Sequence, residues 1–190
     1  GTADDGHPFE FVLGDERLEC LFELGEAGEL ATLGRDVRSI DDEVRRMTAA
    51  TGQAPILVGH SMGGIAIRAW LHQCDGLGRV HHIVTVGSPH HGTWLARFAV
   101  TRNAQEMATN HGWRRAMEVA ETPAHRAKFT CFYSHCDNVV FPPSTATLAH
   151  GDNRFVPGLP HVALAFHPQV VAGCLELVAQ AEAARQGESV

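Results

Sequence analysis

Short apolar runs typical of β-strands alternate with segments of helical spacing along the chain. The predicted strands cover residues 9–13, 18–24, 55–58, 79–86, 127–134 and 153–157. The predicted helices cover 40–51, 65–71, 94–100, 113–121 and a final stretch from residue 168, while 25–38 and 101–112 are predicted to be irregular. Because most strands carry apolar residues on both faces, the pattern indicates the α/β class, with a mostly parallel sheet covered by helices on both sides.

The first and last helices have recognisable ends. Ser39 is the expected N-cap of the first helix, and Thr51 and Gly52 close it. Pro168 suits the first turn of the last helix. Its expected inner face is apolar and consists of Val170, Val171, Cys174, Leu175, Val178 and Ala181. Since no repeat or linker divides the chain, we expect one domain over 1–190, with 1–17 as an irregular or shortened start.

The most informative stretch is VGHSMGG, at residues 58–64. It joins an apolar strand-like run to a helical run, and a strand, a G-x-S-x-G turn and a helix form a nucleophile elbow. The turn is so tight that Gly59 and Gly63 must let the strand and helix backbones pass closely. Ser61 then stands at a helix N-terminus, where free N–H groups favour negative charge. This context favours a catalytic serine over a plain strand–turn–helix connection.

The composition excludes several classes of protein. The 190 residues are 44% hydrophobic and 19% charged, as in ordinary globular proteins. A formal net charge of −7 gives no indication of a nucleic-acid partner. No apolar run approaches the roughly 20 residues that span a bilayer, and the first residues do not resemble a signal peptide. The sequence does not decide between a cytoplasmic and a secreted location.

The cysteines and histidines give no metal motif. The five cysteines, an odd number without C-x-x-C spacing, argue against a complete disulfide framework and a four-cysteine zinc site. Those that lie in apolar runs are expected to be free buried thiols: Cys20, Cys74, Cys131 and Cys174. The 13 histidines include no H-E-x-x-H motif, so no metal site is predicted.

A serine nucleophile needs a base, and the base needs a carboxylate that holds its tautomer. In elbow enzymes the chain order is serine, acid, histidine. Asp137 directly follows a predicted strand and is the preferred acid, while Asp152, ahead of a strand, is the weaker candidate. His161, in a Gly-Leu-Pro-His turn after the last predicted strand, is the preferred base. His167, which precedes a proline, and His150, which precedes the last strand, are the weaker alternatives.

Four segments resemble bacterial lipases and esterases of the α/β-hydrolase superfamily, in particular the compact triacylglycerol lipases. These segments are VGHSMGG, VTVGSPHHGTWLA, YSHCDNVV and PGLPHVAL. The resemblance runs from about residue 18 to the C-terminal helix, and it implies a minimal α/β-hydrolase fold without a large cap domain. It implies Ser61, Asp137 and His161 as the catalytic residues and the backbone N–H of Met62 as an oxyanion donor.

The segment at 87–93 resembles a family loop beside the site. His60, Pro89 and His90 are therefore candidates for substrate contact, although the loop would serve equally well as a rigid turn that ends a strand.

The N-terminal part departs from this family. Its members have a strand ending in His-Gly and then a helix before the strand predicted at 18–24, and the His-Gly loop supplies the second oxyanion donor. Here the strand at 9–13 is followed by GDER, with neither His-Gly nor room for a helix. We therefore expect a start that is shortened relative to the family, or a replaced loop. The second donor is unknown, unless the segment at 13–17 provides it.

Together these features predict a serine carboxylic-ester hydrolase, a lipase or esterase that works through a Ser-His-Asp triad and an acyl-enzyme without metal or organic cofactor. The expected partner is an ester or lipid substrate, met in part through transient contact with lipid interfaces. Two alternatives stay open. One is a hydrolase-fold protein that binds an acyl or hydrophobic ligand with little or no turnover, and the other is a different acyl hydrolase, such as a thioesterase or amidase. Acyl-chain length and oligomeric state do not follow from the sequence.

Overall fold

The computed structural model describes residues 10–13, 16–21, 30–94 and 112–187. The strands are β1 (Glu10–Leu13), β2 (Glu16–Leu21), β3 (Ile56–His60), β4 (His82–Val86), β5 (Phe129–Tyr133) and β6 (Asp152–Phe155). The helices are α1 (Leu30–Thr51), α2 (Met62–Gln73), α3 (Gly112–Ala120), α4 (Pro123–Arg126), α5 (His161–Ala165) and α6 (Pro168–Gly187). Short 3₁₀ turns lie at Gly76–Gly78 and Pro143–Ala146.

The six strands form one sheet in the order β1–β2–β3–β4–β5–β6. β1 runs antiparallel to β2, and each later neighbouring pair is parallel. Because parallel strands end at a common edge, the segments that follow β3, β4, β5 and β6 all leave the sheet on one side. This arrangement confirms the predicted α/β class.

Alternate residues of the central strands point to opposite faces of the sheet and belong to two separate hydrophobic cores, as expected for strands that are buried on both faces. On one face, Leu57 of β3, Ile83 of β4 and Phe129 of β5 pack with α1 and α2. On the other face, Val84 of β4 and Phe132 of β5 pack with α5 and α6. The helices therefore cover both faces of the sheet and hold its C-terminal edge in place.

Helix α1 is longer than the sequence pattern indicates. It begins at Leu30, so Ser39 lies inside the helix and is not its N-cap. Glycine costs only about 1 kcal/mol in a helix interior. A buried apolar stripe packs against the sheet and consists of Val37, Ile40 and Val44. The free energy gained by this packing outweighs the cost of the glycine in this segment. The indole N–H of Trp70 donates to Asp41 Oδ1 at 3.0 Å and joins α1 to α2.

The inner face of α6 follows the helical period more closely than predicted. Val170, Cys174, Leu177 and Ala181 are buried, whereas Val171 and Leu175, which were expected on this face, are exposed. Spacings of three and four residues keep the four buried residues on one side of the helix. Val171 directly follows Val170, so its side chain leaves the helix in a different direction, toward solvent.

Within the part of the chain that the structure describes, one helical stretch, His161–Gln186, is long and apolar enough to span a membrane by length and composition, although none was expected from unbroken apolar runs. It qualifies because small uncharged residues fill the positions between its apolar ones. Part of this stretch packs into the core beside β5, and core helices pass the same test.

Several predictions fall outside the described residues or shift by a few positions. The predicted helix at 94–100 and loop at 101–112 lie almost entirely within 95–111, which the structure does not describe. β4 begins three residues later than predicted, and β2 begins two residues earlier. Of the cysteines with described side chains, Cys131 and Cys174 are buried, Cys74 is half-buried and Cys136 is exposed; Cys74, Cys131 and Cys136 are free thiols.

The crossing of β3 and α2 leaves no space for a side chain, so Gly59→Ala is expected to destabilise the fold. An added Cβ would lie 2.6 Å from the backbone N of Gly64 and 2.7 Å from the carbonyl C of Gly63, and backbone cannot move aside as a side chain can. We expect a loss of about 1–3 kcal/mol in the free energy of unfolding, measured by urea denaturation. Gly78→Ala is the matched control, because a Cβ there meets nothing within 4 Å, and it should change stability by no more than about 0.5 kcal/mol. Equal stabilities of the two variants would contradict the close crossing.

Candidate active site

Ser61 occupies the turn between β3 and α2 in a strained conformation. Its φ is 53° and its ψ is −121°, a region that residues other than glycine seldom adopt. Its backbone N–H donates to the carbonyl of Val86 at 2.9 Å, which ties the turn to the end of β4. The serine is half-exposed while the strand before it and most of the helix after it are buried. This is the geometry of a nucleophile elbow.

Met62 is the first residue of α2. An N–H in the first turn has no acceptor inside its own helix, so it can donate to an external anion. The N–H of Ser61 is already engaged by Val86. The elbow therefore offers the Met62 N–H to an oxyanion at Ser61.

The described residues of the segment at 13–17, which are Leu13, Glu16 and Arg17, do not reach this oxyanion position. In the β2–β3 register, Leu21 lies opposite Gly59, so the end of β2 is level with the elbow. The start of β2 at Glu16 is five strand residues back toward the opposite edge, a span of about 16 Å. The chain that follows β2, residues 22–29, lies outside the described residues, and no second donor is assigned.

His161 and Asp137 form a buried pair at the same edge of the sheet. His161 Nδ1 lies 2.8 Å from Asp137 Oδ2, and their side chains are 7% and 4% exposed. Burial by itself would raise the pKa of Asp137. Hydrogen bonds from His161 and from the backbone N–H groups of Val140 and Val139, both at 2.8 Å, outweigh burial and lower that pKa.

This pairing determines which nitrogen of His161 can act as a base. An ionised Asp137 accepts a hydrogen bond and cannot donate one, so the Nδ1 of His161 carries the proton. Nε2 is then the basic nitrogen. The histidine is the first residue of α5 and does not lie in an open turn as predicted. Its backbone N–H donates to Asn138 Oδ1 at 3.1 Å, which joins α5 to the segment that carries Asp137.

His60 packs against His161 from the side of Ser61. Its ring lies 4.6 Å from the ring of His161 between centroids, and its Nε2 is 3.2 Å from the His161 carbonyl oxygen. Burial is the main cause that lowers the pKa of His60, and the charge of His161 adds to it. Since His60 directly precedes Ser61, this contact brings the elbow and the histidine–aspartate pair together.

The weaker candidates lie elsewhere. Asp152 opens β6, at the edge opposite the elbow, and forms an ion pair with Arg154 at 2.7 Å. His150 occupies a left-handed turn with φ 69° just before β6. His167 precedes α6, and its Nδ1 accepts a hydrogen bond from the Gln169 N–H at 3.3 Å. The structure brings none of these side chains into contact with the His161–Asp137 pair.

The loop after β4, residues 87–93, is more buried than a substrate-contact role requires. Pro89 and His90 are buried, and His90 is 0% exposed. His90 Nε2 lies 3.0 Å from Thr85 Oγ1, and burial, followed by the charge of Arg68, lowers the pKa of His90 well below its usual value. This burial favours a structural role for His90. We call this segment the backing loop, because it lies behind the histidine–aspartate pair.

Gly87 opens the backing loop and touches the pair directly. Its φ is +57°, and a Cβ there would lie 3.1 Å from Asp137 Oδ2 and 3.2 Å from His161 Cε1. The pattern analysis did not single out this glycine, although a glycine at the end of a buried strand is a signal for such a close approach.

A buried ion pair beneath the backing loop was also missed. Arg68 of α2 and Glu121 both have side chains that are 0% exposed. Arg68 Nη2 donates to Glu121 Oε2 at 2.6 Å, and its Nη1 donates to the His90 carbonyl at 2.9 Å. The available signal was a single arginine inside an otherwise apolar helical run, a position that requires a buried partner.

Among the described residues, no group of three or more His, Cys, Asp or Glu side chains is arranged to hold a metal ion. The arrangement at the sheet edge is instead suited to nucleophilic attack. A strained serine, a histidine whose tautomer a carboxylate holds, and an unpaired helix N–H are the groups that acyl transfer needs.

Comparison with known families gives one match over most of the described core of the chain. The family model for palmitoyl protein thioesterase matches residues 23–138, more than half of the chain, and this range includes Ser61 and Asp137. Comparison with curated protein sequences finds no match.

Solved structures of lipases share the fold. The mature form of the Bacillus licheniformis lipase BlEst2 is similar, with a TM-score of 0.56 and 17% identity over 70% of this chain and 68% of the lipase. The lin2722 gene product of Listeria innocua gives a TM-score of 0.54 and 13% identity, covering 77% of this chain and 66% of that one. Aspergillus fumigatus lipase B gives 0.53 and 19%, and the match covers 64% of this chain but only 33% of the fungal lipase.

At these identities the structural likeness shows the fold alone, and it confirms the α/β-hydrolase resemblance found in the sequence motifs. The family match adds that the relatives of this chain are hydrolases of acyl compounds. The chain belongs to the palmitoyl protein thioesterase family and has the α/β-hydrolase fold of lipases and esterases.

Proposed function

We propose that this protein is a serine hydrolase of carboxylic esters, of the lipase or esterase type, in which Ser61, His161 and Asp137 act as a triad. The observation that carries the proposal is the buried His161–Asp137 hydrogen bond of 2.8 Å at the sheet edge where Ser61 occupies its strained turn. A buried carboxylate on Nδ1 leaves Nε2 of the same ring as a base, which is what an alcohol nucleophile requires.

In the proposed mechanism, Ser61 Oγ attacks the acyl carbon and His161 Nε2 takes the hydroxyl proton. The Met62 N–H stabilises the tetrahedral oxyanion, and Asp137 stabilises the imidazolium and stays ionised. When the carbonyl re-forms, the bond to the leaving group breaks, and His161 returns the proton to the departing oxygen. Water, deprotonated by the same nitrogen, then releases the acid from the acyl-enzyme. No step calls for a metal or an organic cofactor.

Hydrolysis of acyl thioesters is the second candidate, and the family match favours it. The residues would act in the same way, because the acyl-enzyme is identical and only the leaving group changes from an alcohol to a thiol. A thiol leaves more readily than an alkanol, so a thioester depends less on protonation by His161 than an alkyl ester does. The two candidates therefore differ in their response to substrate and to loss of the base.

Ser61→Ala should abolish ester hydrolysis and covalent labelling by a fluorophosphonate probe, because no other hydroxyl occupies the elbow. Turnover of p-nitrophenyl butyrate and gel-based labelling measure this, with circular dichroism to verify the fold. Ser144→Ala, at an exposed serine in the 143–146 turn, is the control and should keep both signals. Undiminished turnover in the Ser61 variant would refute the proposed function.

His161→Ala should lower kcat for an oxygen ester by several orders of magnitude, since about 10⁴-fold or more is typical when a triad base is lost. His167→Ala is the matched control, because it removes an imidazole six residues away at the start of α6. It should cost stability and leave kcat close to that of the parent protein. The reverse pattern in steady-state kinetics would assign the base to His167.

With a single assigned oxyanion donor, the chain should hydrolyse activated short esters measurably and long-chain triglycerides weakly. One missing donor costs roughly 10²–10³ in rate, and a good leaving group lowers the barrier that the enzyme must overcome. The comparison should use p-nitrophenyl acetate and butyrate, butyryl-CoA, palmitoyl-CoA and trioleoylglycerol with the same preparation.

The outcomes of this panel separate the candidates. A higher kcat/KM for the CoA thioester than for the oxygen ester of equal acyl length would favour the thioesterase. Labelling of Ser61 without turnover of any substrate would favour an acyl-binding protein. Triglyceride hydrolysis at ordinary enzyme rates would mean that a second donor operates.

A further inference from the structure

The backing loop lies against the proposed acid and base, and the strand residue directly before it holds the proposed nucleophile. Its first residue follows Val86, whose carbonyl accepts the N–H of Ser61 at 2.9 Å. Gly87 lies against both Asp137 and His161. At the other end of the loop, Thr93 Oγ1 donates to the carbonyl of Val139 at 2.8 Å, within the segment whose N–H groups hold Asp137. A displacement of this loop would therefore move the nucleophile, base and acid relative to one another.

The middle of the backing loop is bound by the guanidinium of Arg68. Arg68 Nη1 donates to the His90 carbonyl at 2.9 Å, and the His90 N–H in turn donates to the Ser88 carbonyl at 2.8 Å. The Ser88 side chain fills the space beside Gly64 of α2 and lies 3.4 Å from the Gly59 carbonyl. The backing loop therefore lies between α2 and the segment that follows β5, with the Arg68 guanidinium beneath it.

Glu121, just after α3, keeps this guanidinium in place. Both side chains are fully buried, and the carboxylate accepts from Arg68 on two oxygens. Arg126 adds a third contact to Glu121 at 3.0 Å. Because the guanidinium is planar, its two bonds to the Glu121 carboxylate fix the orientation of its remaining N–H groups. In this orientation Nη1 donates to the His90 carbonyl. Removal of the ion pair from water is costly, and an apolar pair would fill the same space.

We propose that Arg68, held by Glu121, is a positioning residue for acyl transfer: it fixes the backing loop through the His90 carbonyl, and thereby the distance between the elbow serine and the His161–Asp137 pair. The same helix, α2, carries the elbow at its N-terminus and Arg68 between one and two turns later. One rigid element therefore sets both the nucleophile and the loop behind the base. The inference rests on the proposed function for its kinetic consequence only.

The test uses the double variant Arg68→Met/Glu121→Met, because a single truncation would strand a fully buried charge and confuse folding with positioning. Arg126 loses its contact with Glu121 in this variant, but its side chain is 19% exposed and its charge can reach water. The apolar pair should fold, with Tm within a few degrees of the parent or above it. Its kcat for p-nitrophenyl butyrate should fall by roughly 10- to 100-fold, since a misplacement of about 1 Å can cost about 10²-fold. KM should stay within about twofold, because no substrate contact is removed.

Arg68→Lys gives an intermediate case. It keeps the charge but loses the fork that binds the carboxylate and the carbonyl together, so its kcat should lie between those of the parent and the double variant. Arg46→Met/Glu43→Met, which removes an ion pair on α1, is the matched control and should leave kcat and KM unchanged.

A second readout does not depend on turnover. The Nδ1 proton of His161 that bonds Asp137 should give a far-downfield proton NMR signal in the parent, absent in His161→Ala, and broadened or lost in the folded double variant. Parental kcat in a folded double variant, or an unchanged downfield signal, would overturn the positioning role. A raised KM with unchanged kcat would overturn it too. A parent that hydrolyses no ester or thioester would instead refute the proposed function, while the NMR comparison still decides the inference.

Discussion

The close crossing of two glycine-bearing backbones is the constraint on which this structure depends. Where β3 turns into α2, a Cβ on Gly59 would lie 2.6 Å from the backbone of Gly64. Only this approach lets the chain reverse from strand to helix within one residue, and that residue, Ser61, takes the strain in its φ of 53°. The strain is tolerated because both flanking elements are buried and paired. A flexible connection would leave the serine without a defined direction.

The buried ionisable groups around this turn differ in charge state, because they differ in their hydrogen-bond partners. Asp137 is desolvated, yet its pKa falls, because a histidine and two backbone N–H groups bind the carboxylate. His90 is desolvated without an acidic partner, so its pKa falls well below its usual value and the ring is neutral. The guanidinium of Arg68 lies beneath the loop in a buried ion pair with Glu121. Around this turn, Asp137 and Arg68 therefore each have a partner of opposite or polar character, and Nε2 of His161 is the ring nitrogen that does not face Asp137.

The same parallel sheet explains why residues far apart in sequence meet. Segments that follow β3, β4, β5 and β6 leave one edge, and they carry Ser61, the backing loop, Asp137 and His161 in that order. The backing loop contributes no group to the proposed chemistry, but it lies against Asp137 and His161 and follows the strand residue that binds the Ser61 N–H.

The sequence by itself determined the α/β class and the strand–serine–helix turn, because these depend on local period, glycine spacing and strand ends. The order of serine, acid and histidine that it predicts for the catalytic groups stays a prediction. Pattern alone misplaced the start of α1, since a buried stripe at Val37, Ile40 and Val44 overrides a helix-breaking glycine. It also put Val171 and Leu175 on the wrong face of α6. Only the tertiary structure decided that Asp137 and His161 form a buried pair, that His90 lies beneath the site, and that Arg68 finds its partner in Glu121. Those facts depend on contacts between residues 22 to 53 positions apart, and no local pattern encodes contacts at such separations.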